Sequence, residues 1–382
     1  MNAQKLILTT LVIFVGLTPV AHAQIPQLPF NPKKYVAQRT LDSLHIDGKL
    51  NEQSWQQAPS TDSFIDIEGL AQPKPKFKTT AKMLWDDTYL YIAAEMEEPH
   101  AWSRLTQRDT VIFYDNDFEI FIDPDGDTHN YYELEINALG TVWDLLLTKP
   151  YRDGGKAIDG WDISGLQSAI DIQGTLNDPT DRDSGWTVEL TLPWRILEEA
   201  AVHNGPPENG EQWRINFSRV QWYHQIKNGK YVKKMDAKTG KKLPEENWVW
   251  SPQGVINMHY PEMWGIVQFS NTSVGELPPD FKENPEEQIK WYLRQLYYRQ
   301  REWRENHGAY TDEIEELKAK KLFQKMKLDE KFPSLTSAKI SNTKHTFQLQ
   351  IINKDDQTSW YIDETGRVWN HIKRTLQRPH KL

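Results

Sequence analysis

Residues 115–144, DNDFEIFIDPDGDTHNYYELEINALGTVWD, set carboxylates and amides against aromatic and aliphatic side chains around one tight turn. Side chains alternate across a strand, so Phe118, Ile120 and Ile122 share one face and Glu119 and Asp123 leave it. In YYELEIN the same alternation separates Tyr132, Leu134 and Ile136 from Glu133, Glu135 and Asn137. If the loop at 124–130 closes a hairpin, these acceptors form one ladder beside Phe121 and Tyr131. Such a surface suits a sugar, because hydroxyls donate to carboxylates and amides while the C–H faces of a pyranose stack on rings. Repulsion among the carboxylates must be relieved by a cation, by hydrogen-bond donors or by a bound ligand. A solvated outer face of a sandwich is the alternative reading of the same pattern.

Two further features bear on that chemistry. The chain holds 16 Trp, more than packing alone asks for, and Trp143 and Trp161 are candidate ligand platforms; each also reads as core or rim. In DPDGD, Asp123, Asp125 and Asp127 stand at alternate positions, as oxygen ligands of hard cations often do. The stretch lacks the sixth-position Gly and twelfth-position Glu of an EF-hand loop, and a simple Asp/Gly turn explains it equally.

The elements that must position these residues read as strands. From about 41 to 272, short alternating segments are divided by turn residues. Leu90, Ile92, Ala94 and Met96 share a face, as do Trp186, Val188, Leu190 and Leu192, and Trp213, Ile215 and Phe217. Many half-buried strands with few helices predict a mainly β fold, an antiparallel sandwich of immunoglobulin-like or jelly-roll-like form. Trp55, Trp85, Trp186, Trp194 and Trp213 fall at inward or turn-adjacent positions and read as core. Residues 24–40 are Pro-rich and polar, a leader strand or linker. A second linker at 273–283 precedes a small α+β domain over 284–382. There Asn284, Pro285 and Glu287 predict a capped helix start with a capping-box glutamate, and His307-Gly308 a stop. Thr311 would cap a second short helix carrying Ile314 and Leu317. Three strands in HTFQLQII, SWYID and RVWNH complete a meander.

Composition removes some functions. Residues 280–382 carry a net +4 and the remainder −13, so the main region has no electrostatic footprint for nucleic acid. Residues 1–23 combine Lys5, an apolar run and Ala21-His22-Ala23, which predicts a cleaved signal peptide and a secreted or periplasmic protein. No later segment would span a membrane. The chain has no Cys. No G-x-S-x-G, H-E-x-x-H or P-loop occurs, and nothing singles out one acid of a glycosidase pair. These features predict a non-catalytic protein.

HIDGKLNEQSWQQA, MLWDDTYLYIAAEMEEP, NDFEIFIDPDGD, GWTVELTLPW and MWGIVQF occur in the order found in family 9 carbohydrate-binding modules, which the chain resembles over about 44–269. The resemblance implies a β-sandwich with structural Ca2+, a poly- or oligosaccharide ligand, and a role accessory to polysaccharide capture or breakdown. It also implies a sugar end clasped between two tryptophans and a strand glutamate. Glu119 matches that glutamate. The first tryptophan falls at Phe113, with Tyr114 beside it, and the second at Met258, near His259 and Tyr260. Trp250 or Tyr260 would have to compensate, and insertions at 148–161 and 222–252 are long enough to reshape the site. A related sandwich group binds haem b, for which Met83, Met96, Met258 and His259 are the available ligands, without clear paired spacing. The segment YYRQREWRENHGAYTDEIEEL resembles the helix-to-loop region of type IV pilin-like domains, implying a scaffold or adhesion alternative in which the C-terminal domain docks a protein partner.

Overall fold

The computed structural model describes residues 24–372. The leader read at 1–23 and the last ten residues lie outside the described residues. The fold is mainly β, a sandwich-like mixed sheet followed by a smaller β unit carrying a long helix. From one edge the principal strands run Val142–Leu147, Tyr131–Asn137, Asp117–Asp123, Gln212–Gln221, Gly265–Ser273, Lys34–Arg39, Thr79–Trp85, Tyr89–Glu97, Gly185–Pro193 and Gln167–Gln173. The sheet curls so that its two halves face each other. Phe118, Ile120, Ile122, Leu134, Ile215 and Phe217 meet Met83, Ile92, Val188 and Leu190 in one core. Burying each such side chain is worth roughly 1.5–3 kcal/mol, which fixes the register of every strand that contributes one.

Trp55, Trp85, Trp186, Trp194 and Trp213 are all buried. Trp55 shows how the first motif works: its indole Nε1 donates to Glu189 at 2.8 Å, and the Asp47 and Gly48 amides donate to the same carboxylate at 3.0 Å. Gly48 has φ +83°, and a Cβ there would lie 2.7 Å from the backbone of Ile170 and Asp171. Only glycine fits that approach.

Residues 34–39 are more than a leader. They form an interior strand parallel to Gly265–Ser273 and to Thr79–Trp85, so the sheet is mixed. Short and preceded by prolines, this segment shows its strand character only through the two neighbours that receive it.

The C-terminal unit packs the helix Glu286–His307 against a four-stranded meander, Lys339–Asn342, Phe347–Ile352, Thr358–Asp363 and Val368–Ile372. The Asn284 Oδ1 accepts from the Glu286 amide at 3.0 Å. Gly308, at φ +78°, ends the helix. Two expectations are corrected. Glu287 does not close a capping box; its carboxylate pairs with Arg214 of the sandwich and with Lys290, an ion pair that a buried interface favours over a local turn. The second helix begins at Ala319; Thr311 accepts from the Glu313 amide, but 314–318 form turns ending in left-handed Lys318.

The two units share a core. Val255, Tyr260 and Met263 of the sandwich, with Ile25, Leu28 and Phe30, pack against Ile289, Trp291, Leu293 and Leu296. Phe30 stacks on Trp291 with ring centroids 4.7 Å apart. At this junction the cations around Glu287, Arg214 first, hold its carboxyl down at about 2 despite burial. Its contribution is therefore complete above about pH 4.5 and is lost as pH falls toward 2. Between pH 5 and pH 3, wild type should lose about 2 kcal/mol more stability than Glu287→Gln in urea unfolding; equal losses would remove Glu287 from the junction's acid lability.

Candidate saccharide-binding site

Strand pairing builds the site. Glu119 lies opposite Glu135, and Phe121 opposite Glu133, while Trp143 on the next strand faces Glu135. The ladder thus comes from three adjacent strands on the sheet face turned away from the main core. This face is neither bare nor a solvated exterior. Every residue of Asp117–Asp123 and Tyr131–Asn137 is buried, because a second apolar cluster of Phe121, Tyr131, Leu145, Leu147, Val249, Met258 and Trp264 covers it.

A pocket of about 250 Å³ opens within this layer, lined by Glu119, Glu133, Glu135, Phe113, Phe121, Trp143, Tyr151, Glu245, Asn247, Asn257, Met258 and His259. It is smaller than the ~300–1,000 Å³ of drug-sized sites, suiting one ring or a chain end. Burial raises the Glu119 carboxyl to about 7. Burial first, and then the neighbouring Glu119, holds Glu133 and Glu135 well above the usual carboxylate range. On the opposite wall burial, with Arg152 adding, pushes His259 down to about 3, so its ring is neutral. The floor can accept hydroxyl protons and the rim presents rings.

The structure separates the candidate residues. Phe113, Glu119, Glu133, Glu135 and Trp143 converge on the pocket. Phe113 is tied to the ladder, its amide donating to Glu135 Oε2 at 2.8 Å. Tyr114 is 53% exposed and lies beside Phe113, outside the pocket lining. Asn137 is fully buried and structural: its amide donates to Leu105 O and Asp115, and its oxygen accepts from Leu139 and Thr141. Trp161 packs against the main core and stacks on Tyr132, on the other side of the sheet. Phe121 is buried and lines the pocket, while Tyr131 is buried outside the lining, its hydroxyl 2.9 Å from His259 Nδ1. Neither Trp250 nor Tyr260 replaces a second tryptophan. Trp250 is in the core, and Tyr260 is buried, with its hydroxyl donating to Gln24 O. Met83 and Met96 belong to the main core while Met258 and His259 lie across the sheet, so this quartet does not meet.

Tyr151 and His259 form an aromatic wall of the pocket, with rings 4.5 Å apart and nearly perpendicular. Both are fixed by the C-terminal helix. Arg152 donates to His259 O at 2.7 Å and to both oxygens of Glu262 at 2.9 and 3.1 Å. Tyr298 donates to Glu262 and Tyr297 to Asp153, while Arg301 donates to Arg152 O at 2.9 Å. Tyr151 was missed because its place depends on this distant helix; its only sequence signal was the insertion at 148–161.

The Asp123, Asp125 and Asp127 oxygens lie within 4.8 Å of one another, but they are engaged. Asp123 accepts from the Gly126 and Thr128 amides, and Asp127 from the His129 amide and, at 2.7 Å, from Arg367 Nε. With Arg294 donating to Gly126 O, the loop is a knuckle docking the C-terminal unit. A calcium ion there would compete with a guanidinium, so these residues fit it poorly.

The pocket in this sandwich is small, acidic and aromatic-rimmed, the form of a small-ligand site. Residues 46–212 match the family model described as carbohydrate family 9 binding domain-like. Over 118 residues the chain is 28% identical to the exoglucanase XynX of Acetivibrio thermocellus; the match covers 31% of this chain and only 9% of that enzyme. Two solved family 9 modules from Caldicellulosiruptor kristjanssonii are similar. The one in complex with cellotriose is 16% identical, with TM-score 0.41, covering 66% of this chain and all of the module. The one in complex with glucose is 14% identical, with TM-score 0.38, covering 65% and all. Among the described residues no helix is long and apolar enough to cross a membrane.

Proposed function

We propose that the chain is an exported, non-catalytic protein that binds a poly- or oligosaccharide by one sugar unit or chain end in this pocket. The observation carrying the reading is the convergence of Glu119, Glu133 and Glu135 with Phe113, Trp143, Tyr151 and His259. Carboxylates accept hydroxyl protons and the rings meet C–H faces. Two tryptophans do not form a clamp here; Phe113 and the Tyr151–His259 wall supply the rings. The leader read at 1–23 supports export, and the family match supports a role in polysaccharide capture. Calorimetry with cellotriose and glucose, after a glycan-array screen, tests the reading. Phe113→Ala and Trp143→Ala should each weaken the binding of a hit roughly tenfold or more, the loss of about 1–3 kcal/mol of ring contact. A hit that neither substitution affects would place the saccharide elsewhere, and a folded chain with no hit would end the proposal.

A further inference from the structure

Asp117, Glu119 and Glu135 each bring one carboxylate oxygen to within 4.8 Å of the others. All three are buried, Asp117 completely, and neither oxygen of Asp117 has a well-formed hydrogen bond, the Val220 amide on the facing strand reaching it only weakly. Asp117 stands two residues before Glu119, on the same strand face, at the end of the ladder behind the pocket. Asn137, directly opposite in register, is the neighbour that could serve it, but its amide is committed to Leu105 O and Asp115. Among the described residues no Lys, Arg or His forms an ion pair with any of the three.

A buried carboxylate left without donors costs several kcal/mol, so the space between these oxygens calls for an occupant. Calcium binds six to eight oxygens at about 2.3–2.6 Å. Two oxygens on one such ion can be at most roughly 5 Å apart, a limit that this cluster meets. The knuckle at Asp123–Asp127 spends its oxygens on amides and Arg367; this cluster leaves Asp117 unspent. Three carboxylates also supply fewer ligands than the ion takes unless all are bidentate, leaving positions toward the pocket that Glu119 and Glu135 line.

We propose that Asp117, Glu119 and Glu135 hold a divalent cation of the calcium class at the pocket floor, where its open positions take saccharide hydroxyls. The second half rests on the saccharide reading; the cation site does not.

The full chain, stripped with EDTA, is titrated with Ca2+ by calorimetry and with Tb3+ under tryptophan excitation, Trp143 being the neighbouring sensitiser. Wild type should show a site that Asp117→Asn and Glu135→Gln each weaken at least about tenfold and that Asp125→Asn leaves in place. No ion binding by wild type, or an unchanged isotherm in Asp117→Asn, would overturn the site and assign the cluster to shared protons. Repeating cellotriose binding with and without Ca2+ reads the second half separately: affinity should fall when the ion is removed. Binding indifferent to EDTA would overturn the ion's contact with sugar while sparing the saccharide reading. Ion binding with no sugar binding would sink the saccharide reading alone.

Discussion

Arg152→Ala is expected to be the most destabilising single substitution at the junction, costing about 3–5 kcal/mol in denaturant unfolding, because it strands a buried Glu262. Arg152 and Glu262 are both almost fully buried and joined through two hydrogen bonds. The guanidinium also lies 4.2 Å from the Tyr260 ring and donates to His259 O, so its removal loosens the turn carrying Tyr151 and the loop carrying His259. Saccharide affinity should fall with stability even though Arg152 does not line the pocket. Adding Glu262→Gln to Arg152→Ala should restore part of the stability, since the second change removes the stranded charge. A loss below about 1 kcal/mol from Arg152→Ala would show that the network relaxes into water, and that the helix does not brace the pocket wall.

Glu119→Gln should separate binding from folding. Its carboxyl is buried at the pocket floor opposite Glu135, and burial has raised it to about 7. With divalent cations removed by EDTA, an uncharged isostere removes that penalty, so thermal stability at pH 8 should rise by roughly 1–3 kcal/mol. Saccharide binding should drop about 10–100-fold with the loss of a charged hydrogen-bond acceptor worth about 1.5–3 kcal/mol. Calorimetry and a thermal melt on the same preparation check both. Unchanged affinity with lowered stability would assign Glu119 to the fold instead.

How far the site could be read from the chain is clearest at the hairpin 117–137. Alternation alone put Glu119, Glu133 and Glu135 on one face and Phe118, Ile120 and Leu134 on the other, and the structure keeps that division. Alternation also placed Asn137 and Asp123 with the glutamates. Both share the face but serve turns and loops, because residues at a strand's end are claimed by the nearest unsatisfied amides. Trp161 failed for a similar reason. Exposure of a single aromatic in an insertion depends on what the insertion folds over, and this one folds over Tyr132.

The sequence by itself determined the strands, the apolar face of each, the capped and terminated C-terminal helix, and the concentration of acidic groups on one hairpin. These are local consequences of side-chain alternation and turn chemistry. Only the tertiary structure decided that the acidic face would be covered, leaving a pocket rather than an open surface. It also decided that Tyr151 and His259 would complete the rim, that Lys34–Arg39 would enter the sheet, and that Glu287 would leave its helix cap for Arg214. Each of those outcomes depends on contacts between segments far apart in the chain. Burial changes the worth of a charge or a ring only once the partners from those segments have arrived.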